Sequence, residues 1–122
     1  MEKIKLRNVE VYPFRSADDL IDYADEHKGI LVAVNAEKIL NANEVTLPII
    51  NGNIAYCDGS GAVLAAHQKG APQAVKIAGC ELWLKIVERF AGKRSFYIIG
   101  GKKAVNDATV ERLRHDYPGI DI

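Results

Sequence analysis

Three polar clusters in the sequence contain residue types that could bind a phosphate-bearing ligand and transfer a proton. Each cluster directly follows a short apolar run. A carboxylate can act as a general base, whereas glycine-rich turns expose backbone N–H groups and lysines supply positive charge, which together suit a phosphate. The clusters are, in chain order, Asn35, Asp58-Gly59-Ser60-Gly61 and Gly100-Gly101-Lys102-Lys103.

Each cluster also has a purely structural explanation. Asn35 can cap the helix that follows it, and Asp58 before a glycine can cap a helix or close a turn. Gly100-Gly101 can form a tight strand-to-helix turn without any ligand. The chain contains neither GxGxxG nor GxxxxGK[ST], the usual glycine-rich motifs of phosphate binding. Lys102 and Lys103 at a helix start oppose the helix dipole, which favours a bound anion as the reason for them.

The pattern of apolar and amphipathic segments predicts how these clusters are positioned. Short apolar runs alternate with stretches of helical periodicity, which is typical of an α/β fold with a Rossmann-like parallel sheet and helices on both faces. Ligands of such sheets bind outside the carboxyl ends of the strands, so we expect the three clusters to face one cleft. The predicted strands are Val9–Phe14, Ile30–Val34, Ile54–Cys57, Ser95–Ile99 and the beginning of one at Ile120–Ile122.

Helix signals separate the predicted strands. Ile30–Val34 and Ser95–Ile99 do not alternate, so both are expected to be buried strands. The segment from Asn41 to Asn53 gives no clear prediction, because Pro48 and Asn51-Gly52 interrupt its periodicity. The predicted helices are one that begins after Ser16 and ends at His27-Lys28-Gly29, then Ala36–Leu40, Ala62–Lys69, Gly79–Arg89 and Lys103–Tyr117.

Length and composition predict one compact globular domain, residues 1–122. The chain has 122 residues, of which 48% are hydrophobic and 26% charged, which excludes disorder, collagen and coiled coil. Sixteen basic and sixteen acidic residues leave no net charge, which argues against nucleic acid as a partner. No signal peptide or membrane-spanning run is present, so we expect a cytoplasmic protein.

Cysteine and histidine usage predicts neither a disulfide nor a metal site. Cys57 and Cys80 form no CxxC pair, and both are expected to be reduced, largely buried thiols. His27, His67 and His115 are isolated from one another in the sequence. We therefore expect no metal and no cofactor.

Four segments, from Ile30 onward, resemble the WecG/TagA/CpsF glycosyltransferases in order and approximate spacing. The residues of the first and third segments look most like those of the N-acetylmannosaminuronic acid transferases of bacterial surface-polysaccharide assembly. The segments are Leu31–Ile39 (LVAVNAEKI), Tyr56–Val63 (YCDGSGAV), Ile77–Trp83 (IAGCELW) and Phe96–Gly101 (FYIIGG).

The resemblance implies an inverting transfer of an N-acetylmannosamine-type sugar, the uronic acid in this subgroup, from a UDP donor to undecaprenyl-diphosphate-linked N-acetylglucosamine. Asp58 matches the family's catalytic base and Asn35 a polar residue of its pocket. Lys76 stands where relatives tend to have arginine and is the candidate cation for the leaving UDP. No Asp-x-Asp pair is present, which suggests metal-independent catalysis. The expected substrate-binding residues are Asn35, Gly59, Ser60, Gly61, Lys76, Gly100, Gly101 and Lys102.

Several departures from the family pattern keep alternatives open. Ala33 replaces a threonine of some relatives, and the lysine at 76 exchanges a two-pronged cation for a point charge. Family members are considerably longer, so we expect an N-terminal half whose open sheet edge is covered by missing strands or by a second copy in a homo-oligomer. The lipid-linked acceptor implies peripheral contact with the inner face of the cell membrane. The alternatives are a short non-catalytic homologue that binds a nucleotide sugar, and an unrelated Rossmann-like module for another phosphorylated metabolite.

Overall fold

The computed structural model describes residues 1–122 and shows a mixed α/β fold. By its internal contacts the chain divides into a first unit, Met1–Leu82, and a second unit, Trp83–Ile122. The strands are β1 Ile4–Leu6, β2 Val9–Val11, β3 Leu31–Val34 and β4 Ile54–Cys57. The helices are α1 Ala17–His27, α2 Ala36–Asn41, α3 Thr46–Asn51, α4 Ser60–Gln68, α5 Gly79–Phe90 and α6 Lys103–Asp116.

The parallel pair β3–β4 is the centre of the first unit. Leu31 pairs with Ile54 and Val34 with Cys57, and the Asp58 N–H extends the ladder by donating to the Val34 carbonyl at 2.8 Å. Both strands therefore end at the same edge. The predicted α/β class with a parallel sheet is confirmed, and it is compatible with a Rossmann-like fold.

Burial differs between the two strands of this pair. Every residue of β4 is buried, whereas β3 is mostly half-buried, and Ile30 before it is 59% exposed. The prediction that Ile30–Val34 is buried on both faces is therefore wrong. A continuous apolar run does not show by itself whether its strand lies inside a sheet or nearer the edge.

An antiparallel hairpin joins the same unit beside β4. β1 pairs with β2, and the Tyr12 N–H donates to the Ala55 carbonyl at 2.8 Å. The predicted strand region Val9–Phe14 is partly confirmed, because β2 covers Val9–Val11 only. β1 has three residues, too few for its alternation to be recognised in the sequence.

The core of the first unit lies on one face of β3–β4. Val34, Ala55 and Cys57 pack there with the hairpin and with Ala62 and Ala66 of α4, since alanine side chains let a helix approach a sheet closely. Burial raises the pKa of the Cys57 thiol to about 11. Cys57 is thus the buried thiol that the sequence predicts.

The prediction of a second buried thiol at Cys80 is wrong, because Cys80 is exposed. It lies in the first turn of α5, a helix with one apolar stripe. A cysteine on such a helix is buried only when it falls on that stripe.

The segment from Asn41 to Asn53, which gave no clear prediction, forms the end of α2 and the whole of α3. Asn43 Oδ1 accepts hydrogen bonds from the N–H groups of Val45 and Thr46, at 2.9 and 3.1 Å, and so organises the turn between the helices. Pro48 lies in the first turn of α3, where its missing N–H costs no intrahelical hydrogen bond.

In the second unit the predicted buried strand Ser95–Ile99 is wrong. Only Ser95 pairs, as a parallel bridge with Asp121. The strand predicted at 120–122 is therefore reduced to the same single bridge. Tyr97 is 85% and Ile99 84% exposed, whereas Phe96 and Ile98 pack against Val87, Leu113 and Ile120. The segment is thus buried on one side only. Its exposed residues are apolar like its buried ones, so the sequence shows no alternation of polar and apolar residues.

Candidate functional site

Asn35 and Asp58 occupy the carboxyl edge of the β3–β4 pair. Each follows the last residue of its strand, and the two loops lie against each other: a Cβ placed on Gly59 would stand 3.7 Å from the Asn35 Cβ. Gly59 has φ +145°, a backbone conformation that other residues rarely adopt. The structure therefore brings together these three residues, which the sequence selected from their positions after strands.

Asn35 caps α2, which is the structural role that the sequence suggested for it. Its Oδ1 accepts a hydrogen bond from the Lys38 N–H at 2.8 Å and so caps α2. Lys38 in turn donates from its Nζ to the Ala33 carbonyl at 2.6 Å. The cap fixes the orientation of the Asn35 amide, so that its Nδ2 has a defined direction at the exposed edge.

The carboxylate of Asp58 is half-buried and faces the start of α5. Its Oδ2 accepts a hydrogen bond from the Gly79 N–H at 3.3 Å. Oδ1 accepts none from the protein. The first N–H groups of a helix carry partial positive charge. One oxygen is thus held by the protein, and the other is available to a ligand hydroxyl.

Tyr56 and Gly79 belong to the surroundings of Asp58, although the sequence analysis did not select them. A Cβ on Gly79 would stand 3.0 Å from Tyr56 Oη, 3.3 Å from Asp58 Oδ2 and 3.8 Å from the Ala33 Cβ. Burial raises the pKa of Tyr56, and the nearby Asp58 and Cys80 raise it further. The available signal was strand alternation, because Tyr56 precedes Asp58 by two residues and so shares its face.

Ser60 and Gly61 form the first turn of α4. Ser60 is exposed, and no side chain caps this helix. A Cβ on Gly61 would stand 3.2 Å from the Ala36 Cβ, so the glycine lets α4 approach α2 closely. Gly61 therefore has a packing role at this edge.

Lys76 is exposed and directly precedes Ile77 in the segment between α4 and α5. The neighbouring Ile77 N–H donates to the Cys57 carbonyl at 2.9 Å, so the backbone of this segment runs beside the residue that precedes Asp58. His67 Nε2 contacts the Ala74 carbonyl at 2.8 Å and ties the same segment to α4. Lys76 is thereby placed at the edge that carries Asp58.

Gly100, Gly101 and Lys102 lie in the second unit. Gly100 has φ +112° and Gly101 φ +71°, and Lys102 is the N-cap residue of α6, with no side-chain cap. Asn106 Nδ2 donates to the carbonyls of Ile98 and Gly100, both at 3.1 Å. The turn before α6 is thus held by a side chain, and its sharing a cleft with Asp58 stays a prediction.

A groove of about 430 Å³ opens beside Asn35 in the first unit. Its lining includes the apolar residues Val32 and Ile50 and the polar residues Asn35, Glu37 and Lys38. The complete lining is Val32, Asn35, Glu37, Lys38, Asn41, Ala42, Thr46, Ile49 and Ile50. Asn35 lines this groove and also lies at the edge that carries Asp58.

Two further findings concern metals and membranes. No group of three or more His, Cys, Asp and Glu side chains is arranged to hold a metal ion. Among the helices, none combines the length and apolar character needed to cross a membrane.

The sequence also matches a family model. The model is described as the glycosyl transferase WecG/TagA/CpsF family, and it matches residues 4–122. This range includes Asn35, Asp58 with its glycines, and the Gly100-Gly101 turn. The resemblance of the four segments is thereby confirmed. The chain belongs to the WecG/TagA/CpsF family of glycosyltransferases, which act in cell-surface polysaccharide synthesis.

Proposed function

We propose that this protein transfers an N-acetylmannosamine-type sugar, the uronic acid, from UDP to undecaprenyl-diphosphate-linked N-acetylglucosamine with inversion. Family membership supports the reaction class. The observation that carries the proposal is the Asp58 carboxylate, held through Oδ2 at the strand edge with Oδ1 available. The resemblance of the segments around Asn35 and Gly79 to N-acetylmannosaminuronic acid transferases supports the choice of sugar.

Asp58 acts as the general base. A sugar hydroxyl is too weak an acid to ionise at neutral pH, so it needs a carboxylate that accepts its proton as the new bond forms. The acceptor oxygen attacks the anomeric carbon opposite the UDP, the carbon–oxygen bond to UDP breaks, and the hydroxyl proton moves to Asp58 Oδ1. Proton acceptance of this kind contributes ~10² to 10⁴ in rate.

The departing UDP gains negative charge that the protein must stabilise. We assign this role to Lys76 and to the turn Gly100–Lys102, whose glycines allow close approach of backbone N–H groups to a phosphate. Lysine provides a compact charge without the fixed geometry of an arginine. We assign the donor sugar to the end of the groove at Asn35, where the fixed amide can hydrogen-bond a ring hydroxyl.

The acceptor also suggests where the protein works. Because the proposed acceptor is a membrane lipid, we place the reaction at the inner face of the cell membrane, with peripheral contact of the protein. We also propose a homo-oligomer that forms through the open sheet edge. Co-sedimentation with vesicles that contain the lipid acceptor tests the contact. We expect more bound protein than with acceptor-free vesicles of the same lipid.

Acceptor-dependent release of UDP tests the proposed reaction. The protein is incubated with UDP-N-acetylmannosaminuronic acid with and without the lipid-linked acceptor, and UDP-N-acetylglucosamine serves as the control donor. We expect UDP release that requires both the acceptor and the mannosaminuronic acid donor. Donor binding by calorimetry without any transfer would instead favour the non-catalytic homologue, and equal affinity for UDP, ATP and NAD would contradict a nucleotide-sugar site.

A further inference from the structure

The connecting segment, residues 69–78 between α4 and α5, carries Lys76 and forms neither helix nor strand. Its side chains at Ala71, Ala74 and Ile77 are buried, whereas Lys76 is exposed. The segment is therefore packed against the protein at three points and leaves Lys76 accessible to a ligand.

The end of the connecting segment is bonded to the chain that leads into Asp58. The Ile77 N–H donates to the Cys57 carbonyl at 2.9 Å. This hydrogen bond joins the peptide group between Lys76 and Ile77 to the peptide group between Cys57 and Asp58. The backbone of Lys76 therefore lies beside the backbone that enters Asp58, and the place of the lysine depends on how the segment is held.

The side chain of His67 holds the middle of the connecting segment. His67 lies in the last turn of α4, and its Nε2 is 2.8 Å from the Ala74 carbonyl oxygen. A carbonyl oxygen can only accept, so Nε2 carries the proton of this hydrogen bond. Only Val75 and Lys76 stand between this contact and the backbone bond of Ile77. His67 thus fixes the segment two residues before Lys76.

We propose that His67 is a positioning residue for the UDP site: by donating from Nε2 to the Ala74 carbonyl, it holds Lys76 where the ammonium group can contact the diphosphate of the donor. This inference rests on the proposed function, in which Lys76 stabilises the charge of UDP. A lysine has a long flexible stem and a point charge, so it loses much conformational entropy when it is ordered on a ligand. A backbone that is already fixed lowers this cost of binding.

Calorimetric titration with UDP and with uridine tests the inference. The wild type is compared with His67→Leu, with His67→Gln, whose amide can donate from nearly the same place, and with the control His115→Leu, which removes an exposed histidine at the far end of α6. Uridine lacks the phosphates, so its affinity reports on the rest of the site. We expect His67→Leu to bind UDP about tenfold more weakly, as for the loss of one charge-assisted hydrogen bond, with uridine affinity unchanged. His67→Gln and His115→Leu should bind both ligands like the wild type.

Lys76→Met shows whether His67 acts through the lysine. If it does, His67→Leu should cause no further loss of UDP affinity when it is added to Lys76→Met. An equal loss in both backgrounds would overturn the inference, because His67 would then act on the fold and not on Lys76. A parallel loss of uridine affinity would overturn it as well, and so would a wild type that binds UDP no more tightly than uridine.

Nitrogen NMR of the histidine rings provides a readout that needs no ligand. We expect a proton on Nε2 of His67, whereas a proton on Nδ1 alone would leave the Ala74 carbonyl without its donor and contradict the inference. The two hypotheses also fail separately. If acceptor-dependent UDP release is absent while the UDP affinities behave as expected, the proposed transfer is wrong and the role of His67 in UDP binding stands.

Discussion

At the scale of single residues, Gly79 is the first residue of α5 and lies close to two side-chain oxygens, Tyr56 Oη and Asp58 Oδ2. A side chain there would crowd Tyr56 Oη at 3.0 Å and Asp58 Oδ2 at 3.3 Å. In an ordinary helix, alanine would be preferred over glycine by about 1 kcal/mol. The glycine is therefore explained by the close approach and not by helix stability.

Gly79→Ala tests this explanation. We expect turnover to fall by at least ~10-fold, because displacement of a general base by even a fraction of an ångström disturbs proton transfer. The melting temperature should change little, since the gain in helix propensity offsets the crowding. Full activity of Gly79→Ala would show that the site tolerates a methyl group.

The two cysteines should differ in reactivity. Cys57 is buried and the pKa of its thiol is raised to about 11, whereas Cys80 is exposed at the start of α5. The thiolate is the reactive species. A thiol reagent should therefore label Cys80 of the native protein rapidly and Cys57 only after unfolding. Mass spectrometry of the labelled peptides identifies each site, and rapid native labelling of Cys57 would contradict the structure of the core.

The Cys57 thiol also makes stability depend on alkaline pH. Its folded pKa, about 11, lies above the ordinary cysteine value of 9.0, so the folded state holds the proton more tightly than the unfolded state does. The stabilisation is fully present below pH 9 and is lost as the pH rises toward 11. Urea unfolding should show a steeper alkaline loss for the wild type than for Cys57→Ala, and equal slopes would contradict it.

At the scale of elements, the second unit holds its glycine turn through one side chain. Asn106 on α6 donates to the carbonyls of Ile98 and Gly100, so it ties the extended segment before the turn to the helix after it. The residue Tyr97, in contrast, is exposed and takes no part in this connection. The turn is therefore ordered from its helical side.

Asn106→Asp should loosen this turn, because the aspartate has the same shape but lacks the amide donor. Two hydrogen bonds of about 1 kcal/mol each are lost, and the new charge repels both carbonyls. Amide hydrogen exchange at Gly101 and Lys102 should accelerate, and the affinity for UDP should fall several-fold. Unchanged exchange in Asn106→Asp, with Asn41→Asp on the groove as the control, would contradict the role of Asn106.

Local signals were sufficient for most of the elements. Ser16 at the start of α1 predicted a cap that its contact with the Asp19 N–H confirms, and the buried run Ile54–Cys57 predicted β4. Burial of Ser95–Ile99 was not predictable in the same way, because it depends on which residues of the folded chain lie on each side of the segment. Periodicity reports an alternation only where the exposed side chains are polar.

The site followed the same division. Asp58 and Asn35 could be selected because the end of a strand is recognisable in the sequence and parallel strands end at one edge. Strand alternation could also have placed Tyr56 on the face of Asp58. Gly79 could not be selected, since its relation to Asp58 depends on the approach of α5, which begins 21 residues after that carboxylate. Contacts between distant segments are set by packing, which no local pattern encodes.

At the scale of the whole molecule, length predicted a single domain, whereas the internal contacts divide the chain at Leu82. We propose that both units unfold together, because the division falls inside the continuous helix α5. Differential scanning calorimetry should show one transition whose calorimetric and van't Hoff enthalpies agree. Two separate transitions would mean that the units are independent domains.

The central claim, that Asp58 is the base of a glycosyl transfer, is tested most directly by Asp58→Asn. This change keeps the shape of the side chain but removes its capacity to accept a proton. The control is Asp25→Asn, which removes a carboxylate from a surface ion pair with Lys28. Turnover of each variant is measured as acceptor-dependent UDP release at saturating donor, with donor affinity from calorimetry. We expect turnover of Asp58→Asn to fall by at least ~10² with donor affinity within a few-fold of wild type, and turnover equal to that of Asp25→Asn would contradict the account.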